Sequence, residues 1–317
     1  MKKSEDGGVN LQEKNPLLNS NNVLDNVELV EEMIFGIASP NMNEHTMATL
    51  ANTIVKKLKS DSFDGVVISH GTDTMEETAY FLDLVVPGPT PVVITGAMRS
   101  SDALGSDAMV NYQSAIKVAV SEGAKGMGTL LVFNEQIHAA RSVIKTHANN
   151  LAAFESPGFG PVGVITPTEI IFGRALPSKA HYEVESITKN VLLIKAHAGI
   201  NSTIFDALDA LAEKQGKYPI DGLVFEAFGA GNVPAQIVEC LQRVEGKGIP
   251  IVLATRCIEG MPLSLYDYSG GGKALKTREV KSIIHSRGLS GPKARLKLLI
   301  LLELTTDLKE IESEFAK

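Results

Sequence analysis

The sequence predicts an α/β protein with two domains, a larger N-terminal one and a smaller C-terminal one, each built around a parallel sheet. Its 317 residues suffice for two ordinary domains with substantial cores. Short continuous apolar runs, typical of buried parallel strands, alternate with helical patterns. A mixed stretch between residues 154 and 190 interrupts this alternation, which predicts one domain over residues 1–180 and a second over residues 190–317.

The first domain is predicted to alternate helices with strands. Helices are expected over residues 47–57, 75–84 and 111–120, and strands over residues 65–69, 91–95 and 128–133. Strands joined by helices imply right-handed crossovers, and therefore a parallel sheet that is covered on both faces. Residues 1–32 are polar, acidic and rich in Asn, which predicts a loop or an arm without regular structure.

The same alternation resumes in the second domain. Strands are expected over residues 191–195, 222–226 and 250–254, and helices over residues 201–216, 234–246 and 292–302. No internal repeat or low-complexity tract interrupts either half of the sequence.

Composition and charge exclude several classes of protein. The formal net charge is −7, whereas proteins that bind nucleic acid need a surplus of Lys and Arg on one face. No apolar run reaches the roughly 18 residues that a membrane span needs, and no apolar segment follows the first residues as in a secretory signal. The two cysteines, Cys240 and Cys257, exclude a disulfide framework and fit a reducing compartment. We therefore expect a cytoplasmic protein that binds neither nucleic acid nor a membrane.

A run of polar residues follows the first predicted strand. Residues 69–74 (SHGTDT) join that strand directly to the next predicted helix. Asp73 with Glu76, or Thr74 with Glu77, has the spacing of a capping box, which predicts that the helix begins within this run. Simple capping would explain any one of these residues, but the whole run after a buried strand favours a ligand site.

Thr72 and Asp73 are the candidate reactive residues of this run. At the start of a helix they should lie beside unpaired backbone N–H groups and the positive end of a helix dipole. Such a place stabilises a bound carboxylate or a developing oxyanion.

Two further polar segments follow predicted strands. Residues 95–101 (TGAMRSS) and 105–108 (GSDA) contain small residues that let a ligand approach the backbone. Residues 140–146 (ARSVIKT) follow the strand that ends near Phe133. Taken by itself, Lys145 in this segment is typical of a solvated surface lysine.

Other chemistries lack support in the sequence. Seven histidines lie at positions 45, 70, 138, 147, 181, 197 and 285 without the paired spacing of a zinc site. Neither GxxxxGK[ST] nor GxGxxG follows a predicted strand, so nucleotide binding is not predicted. The glycine run at residues 270–272 favours a flexible loop. We expect no metal and no cofactor.

These segments together resemble a known family, the bacterial L-asparaginases. Residues 70–79 (HGTDTMEETA) are similar to the family's second signature. Five further segments follow in the family's order and spacing: residues 96–99, 140–146, 159–163, 229–234 and 292–295. The resemblance extends from about residue 5 to the end of the sequence.

The resemblance implies an amidohydrolase that converts L-asparagine and water to L-aspartate and ammonia by threonine chemistry. It implies that Thr72, Asp73 and Lys145 form one catalytic cluster, in which the lysine acts as base for the threonine hydroxyl. Asp73 would also hold the substrate's α-ammonium group or orient the threonine.

The resemblance also implies a set of substrate-binding residues. Ser39 and Pro40 lie where the family binds the α-carboxylate, and Ala97 would offer backbone groups to the substrate amide. Asn232 would reach the site from a neighbouring subunit, because family members build their sites between paired protomers. A homo-oligomer, either a dimer or a tetramer, is therefore expected.

One departure from the family pattern concerns the attacking threonine. Family members begin with an apolar strand that ends in Thr-Gly-Gly-Thr, whereas no threonine precedes Thr46 here and no tyrosine precedes Tyr80. We expect that strand and its threonine to be missing near residue 4, with impaired activity and an unpaired neighbouring strand. Ser4 lacks the strand and glycine turn that would position it as a substitute.

Three hypotheses remain open from the sequence. The first is an L-asparaginase, and the second is a catalytically inactive homologue that binds asparagine or aspartate. The third is the related amidotransferase subunit, which carries an extra N-terminal domain that 317 residues are too few to hold.

Overall fold

The computed structural model describes residues 26–177 and 181–317, together with the backbone of two antiparallel strands, β1 (Lys2–Lys3) and β2 (Val9–Asn10). The chain forms two compact units, residues Met1–Glu185 and Ser186–Lys317. The prediction of an arm without regular structure is wrong for Lys2–Lys3 and Val9–Asn10, which form strands. Residues 26–32 contain neither helix nor strand, and the rest of the predicted arm lies outside the described residues. The α/β class, with a larger N-terminal and a smaller C-terminal sheet domain, is confirmed.

The N-terminal unit contains the three predicted helices and three predicted strands. Helices are α1 (Glu44–Ser60), α2 (Met75–Val85) and α3 (Ala108–Ala119); strands are β3 (Val66–Ser69), β4 (Val92–Thr95) and β5 (Thr129–Phe133). Five short strands follow that the sequence pattern did not predict. They are β6 (Gln136–Ala139), β7 (Ile144–Lys145), β8 (Phe154–Glu155), β9 (Gly163–Ile165) and β10 (Ile170–Phe172).

The N-terminal sheet is mixed rather than parallel throughout. Its six strands lie in the order β10-β9-β6-β5-β4-β3, and the neighbouring strands pair in parallel only from β3 to β4 and from β4 to β5. The chain reverses at Asn134 and Glu135, whose φ angles of 49° and 60° form a tight turn that makes β6 antiparallel to β5. Asn tolerates this left-handed backbone, but a Glu there gave no turn signal that a sequence pattern would use.

The two faces of this sheet carry separate hydrophobic clusters. Alternate residues of β5 point to opposite faces, so Leu130 packs beside Val118 of α3, whereas Leu131 packs beside Ala79 of α2. All of β4 and β5 is buried, which explains why both strands read as continuous apolar runs. This burial fixes the carboxyl ends of β3, β4 and β5 at one edge of the sheet.

The C-terminal unit is built on a wholly parallel sheet in the order β11-β12-β13-β14. Its strands are β11 (Val191–Lys195), β12 (Gly222–Ala227), β13 (Ile251–Thr255) and β14 (Ile284–His285). Its helices are α4 (Thr203–Gln215), α5 (Ala235–Gly246), α6 (Gly272–Ala274), α7 (Gly291–Leu304) and α8 (Leu308–Ala316), and a π-helical turn over Leu275–Glu279 continues α6. The short elements β14, α6 and α8 were not predicted. Across residues 26–177 and 181–317, no helix combines the length and the apolar character that crossing a membrane requires.

The buried β12 strand supports a stability prediction. Leu223 of β12 is fully buried, so Leu223→Ala should lower the free energy of unfolding by about 3 kcal/mol through lost burial and a new cavity. Leu211 of α4 is 43% exposed, and Leu211→Ala should cost less than about 1 kcal/mol. Urea unfolding of both variants measures the difference. Equal losses would contradict the core described for this unit.

Candidate active site

The turn between β3 and α2 holds Thr72 and Asp73 at the carboxyl edge of the sheet. The helix begins at Met75, and its N-cap residue Thr74 is the last residue of the polar run. Gly71 is required here, because a Cβ atom built on it would lie 2.6 Å from the Ser39 hydroxyl oxygen. Gly96, at the end of the neighbouring strand β4, is also required, since its Cβ would lie 2.2 Å from the His70 carbonyl oxygen.

Ser39 fastens this turn from the segment that precedes α1. It lies in a 3-10 turn (Ser39–Asn41) and is buried, whereas Pro40 beside it is exposed. The Asp73 N–H donates to Ser39 Oγ at 3.2 Å, and that hydroxyl lies 3.5 Å from Asp73 Oδ2. Thr74 Oγ1 donates to the Ser39 carbonyl oxygen at 2.8 Å. Ser39 therefore holds both residues that follow Thr72.

The capping-box prediction for α2 is wrong. Thr74 is the N-cap residue, but its side chain makes no capping hydrogen bond because its hydroxyl donates to Ser39 instead. Glu76, in the first turn of α2, accepts a hydrogen bond from the backbone N–H of Lys145. The acidic residue that the sequence offered as a cap therefore positions the lysine of the site.

Lys145 meets Thr72 and Asp73 in the structure. Its Nζ donates to Thr72 Oγ1 at 2.9 Å and to Asp73 Oδ1 at 2.7 Å. The lysine side chain is only 16% exposed, whereas the Asp73 side chain is 57% exposed. Two short strands, β7 and β8, pair through Lys145 and Phe154 and hold the lysine in place. Lys145 follows Thr72 by 73 residues and Asp73 by 72 residues in the sequence, and the three side chains form one hydrogen-bonded cluster.

The cluster has the parts of a nucleophilic site. A threonine hydroxyl contacts a mostly buried amine, and a carboxylate orients that amine from its other side. The start of α2 adds the positive end of a helix dipole. The arrangement can therefore activate a hydroxyl and stabilise negative charge beside it.

His70 is a site residue whose role sequence reasoning missed. Its Nδ1 lies 2.6 Å from the Gly71 carbonyl oxygen, which can only accept, so Nδ1 carries the proton. Its Nε2 then accepts from the Thr78 hydroxyl at 3.0 Å. Burial lowers the pKa of the His70 imidazole below its ordinary value of 6.5, and the hydrogen bond to Gly71 opposes that shift. The neutral ring therefore joins the Thr72 turn to α2.

Ala97 lies in the loop that follows β4, beside the Thr72 turn. The Thr95 carbonyl oxygen accepts from the His70 N–H at 2.8 Å, which joins the two strand ends. The half-buried Ala97 packs against the cluster of Ala108, Tyr112 and Ile116 on α3. This loop is anchored by Asp107 and Asn111, two residues to which the sequence pattern gave no role.

A groove of about 1280 Å³ lies beside β3. All of β3, parts of α1 and α3, and residues 26–37 line it, and Ser39 and Gly71 stand at its site end. Within the described residues β3 pairs with β4 alone and is the outermost strand of its sheet.

Asn232 lies in the C-terminal unit. Its Oδ1 accepts from the Gly272 N–H at 3.2 Å, and its backbone forms a bridge with Phe228. The side-chain NH₂ group takes no part in that bond. Among the residues that the structure describes, no three His, Cys, Asp or Glu side chains gather into a cluster that could hold a metal ion.

Comparisons with known proteins identify the family of this chain. The family model described as "Asparaginase, N-terminal" matches residues 1–177, and that described as "Glutaminase/Asparaginase C-terminal domain" matches residues 190–315. An L-asparaginase from Bacillus licheniformis is 34% identical over 268 residues, which cover 84% of this chain and 80% of that protein. A probable L-asparaginase from Deinococcus radiodurans is 34% identical over 300 residues, covering 93% and 87%.

The solved structures include a similar chain. A crystal structure of a probable cytoplasmic L-asparaginase from Campylobacter jejuni has a TM-score of 0.79 and 33% sequence identity to this chain. The match covers 90% of this chain and 88% of that one. Because both family models match in order and the relatives are similar over most of their length, the chain belongs to the asparaginase family.

Proposed function

We propose that this protein hydrolyses the side-chain amide of L-asparagine, giving L-aspartate and ammonia. The observation that carries the proposal is the contact of Lys145 Nζ with Thr72 Oγ1, at 2.9 Å, at the start of a helix. Family membership supports asparagine as the substrate class. No cofactor is needed, because amide hydrolysis requires only a nucleophile, proton transfer and stabilisation of an oxyanion.

Thr72 is the nucleophile of the proposed reaction. Lys145 takes the hydroxyl proton while Oγ1 attacks the amide carbon, and the oxygen of the tetrahedral adduct takes the negative charge. The C–N bond then breaks, and the lysine returns the proton to the departing ammonia. Water attacks the resulting ester with Lys145 again taking a proton, which releases L-aspartate and restores Thr72.

Substrate binding uses the residues around this cluster. The half-exposed Asp73 carboxylate accepts the substrate's α-ammonium group, and Ser39 with Pro40 forms the end of the site that receives the α-carboxylate. The backbone of Ala97 receives the amide. These assignments place one charged group of the substrate against a carboxylate and the other near the N–H groups at the start of α2.

The site is completed by a second subunit through Asn232, whose Oδ1 accepts from the Gly272 N–H. Self-association is supported by an exposed apolar segment of the C-terminal unit, in which Ile258 is 70% and Leu265 61% exposed.

The cysteines Cys240 and Cys257 form no disulfide, which supports a reducing, cytoplasmic compartment. Cell fractionation tests this location directly.

Replacement of Thr72 tests the proposed chemistry. Thr72→Val keeps the shape of the side chain but removes the hydroxyl, so ammonia release from asparagine should fall about 10⁴-fold or to the rate of buffer. Thr72→Ser should retain measurable turnover. Lys145→Met removes the base and should cost on the order of 10²- to 10⁴-fold in kcat. All proteins are purified from a host strain that has no asparaginase of its own.

The outcomes separate the hypotheses. Turnover in the parent protein that Thr72→Val leaves unchanged would show that another hydroxyl attacks. A synthetic apolar strand that ends in Thr-Gly-Gly-Thr, offered to the groove beside β3, would then raise the rate. A parent protein that binds L-aspartate in calorimetry but never releases ammonia would be the inactive binding homologue, contrary to the proposal.

Subunit mixing tests the role of Asn232. Thr72→Val and Asn232→Ala should each be inactive alone, because every site lacks one group. If Asn232 acts from a neighbouring subunit, coexpression should recover activity, since random pairing into two-fold dimers restores about a quarter of the sites. Sedimentation analysis verifies that mixed oligomers form. No recovery in verified mixed oligomers would place Asn232 with the site of its own chain.

The half-buried His70 predicts a loss of stability in mild acid. Its pKa in the folded protein lies below the unfolded value near 6.5, so the folded state favours the neutral ring. His70 therefore contributes stability that is present above pH 6.5 and is lost as the pH falls below it. Urea unfolding between pH 7.5 and pH 5 should show a smaller pH dependence for His70→Asn than for the parent. The exposed His197 provides the control, and His197→Asn should keep the parent's pH dependence.

A further inference from the structure

Asp107, the N-cap residue of α3, directs its carboxylate away from its own helix. An Asp at this position ordinarily accepts hydrogen bonds from the first N–H groups of the helix, but Asp107 makes none of them. Its Oδ2 instead accepts from the Met98 N–H at 2.9 Å, and its Oδ1 accepts from the Arg99 N–H at 3.0 Å. The carboxylate therefore holds the loop that follows β4.

Asn111, one turn further along α3, holds the same loop from its other side. This residue is 1% exposed, and its Nδ2 donates to the Gly96 carbonyl oxygen and to Asp107 Oδ2, each at 3.0 Å. Its Oδ1 accepts from the Asn134 N–H at 3.0 Å, just beyond the end of β5. The side chain thus ties two strand ends to α3.

The two peptide groups that flank Ala97 are therefore both fixed. Asn111 holds the carbonyl of the Gly96–Ala97 peptide, and Asp107 holds the N–H of the Ala97–Met98 peptide. In a trans peptide the C=O and N–H groups point in opposite directions. The Ala97 N–H must then point away from Asn111, and the Ala97 carbonyl must point away from Asp107. Neither Ala97 group takes part in these bonds.

Gly96 connects this arrangement to the reactive threonine. The glycine leaves no room for a side chain, because its Cβ would lie 2.2 Å from the His70 carbonyl oxygen and 2.5 Å from Met75 Cε. A shift of the loop would therefore press on the turn that carries Thr72, two residues after His70. The position of Ala97 relative to Thr72 is set by backbone packing on one side and by α3 on the other.

We propose that Asp107 and Asn111 are positioning residues that aim the backbone N–H and C=O of Ala97 at the substrate amide. This proposal rests on the proposed function, in which Ala97 receives that amide. The Ala97 carbonyl suits the amide NH₂ group of asparagine, which aspartate lacks, whereas the α-amino and α-carboxylate groups common to both ligands lie elsewhere in the site. Asp107 therefore contributes to the preference for an amide over a carboxylate.

Two substitutions test the proposal. Asp107→Asn keeps the size of the side chain but replaces one accepting oxygen by an NH₂ group that faces a backbone N–H. Asn111→Leu removes the bonds to Gly96 and Asn134. Each should lower kcat/KM for asparagine about 10- to 100-fold, the usual effect of a small displacement at a reacting centre. Calorimetric binding of L-aspartate should weaken less than 3-fold, which a general loss of structure would not allow.

Asp83 provides the matched control in the same unit. Like that of Asp107, its carboxylate accepts a backbone hydrogen bond, from the Thr129 N–H at 2.7 Å at the opposite end of β5, although Asp83 is buried and Asp107 is half-buried. Asp83→Asn should lower the melting temperature as Asp107→Asn does, but it should leave kcat/KM unchanged. Equal losses in both variants, or equal weakening of asparagine and aspartate by Asp107→Asn, would overturn the proposal. A parent protein without turnover or ligand binding would instead refute the proposed function.

Discussion

Close packing of backbone at Gly71 and Gly96 is the constraint on which the rest of the site depends. A side chain at either position would overlap a neighbouring segment, the Ser39 hydroxyl in one case and the His70 carbonyl in the other. These two contacts bring the segment before α1, the end of β3 and the end of β4 within hydrogen-bond distance. Only then can Ser39 bind Asp73 and the Thr72 hydroxyl face Lys145.

The parallel half of the N-terminal sheet supplies the platform for this packing. Because β4 and β5 are buried on both faces, their ends cannot shift without disturbing the core on either side. Lys145 lies outside this sheet, on strand β7, which pairs with β8 over only two residues. Its backbone N–H therefore depends on Glu76, and its amine depends on Asp73. A rigid edge and a lysine held at two points together fix the reactive geometry.

Patterns of apolar residues predicted the longer helices and strands, because the burial of such an element produces a periodic pattern within its own residues. β11, over Val191–Lys195, was predicted to the residue, since it is a continuous apolar run. The short strands after Phe133 were not predicted, because pairings of two to four residues depend on the partner strand more than on their own composition. Thr72, Asp73 and Lys145 were predicted as one cluster through the family resemblance, and the structure brings them together. Asp107 and Asn111 were not predicted as site residues, because their role depends on hydrogen bonds to the loop after β4, and a local sequence pattern does not show such bonds.

The starts of α2 and α3 explain why capping rules failed where the site lies. Asn43 caps α1 with its own side chain, as the rules expect, whereas Thr74 and Asp107 direct theirs to neighbouring loops. Losing such a cap ordinarily costs about 1 kcal/mol, so each helix gives up local stability at this point. An uncapped start alone does not mark a site, because Ser202 at α4 also makes no capping bond and donates to Asp206.

What distinguishes Thr74 and Asp107 is that the loops they hold carry the residues proposed to react with and bind the substrate. Helices α2 and α3 thus lack a stabilising side-chain cap, and the same side chains instead fix the arrangement of Ser39, Thr72 and Ala97. Such departures from local rules are expected where a chain must position chemistry rather than only fold.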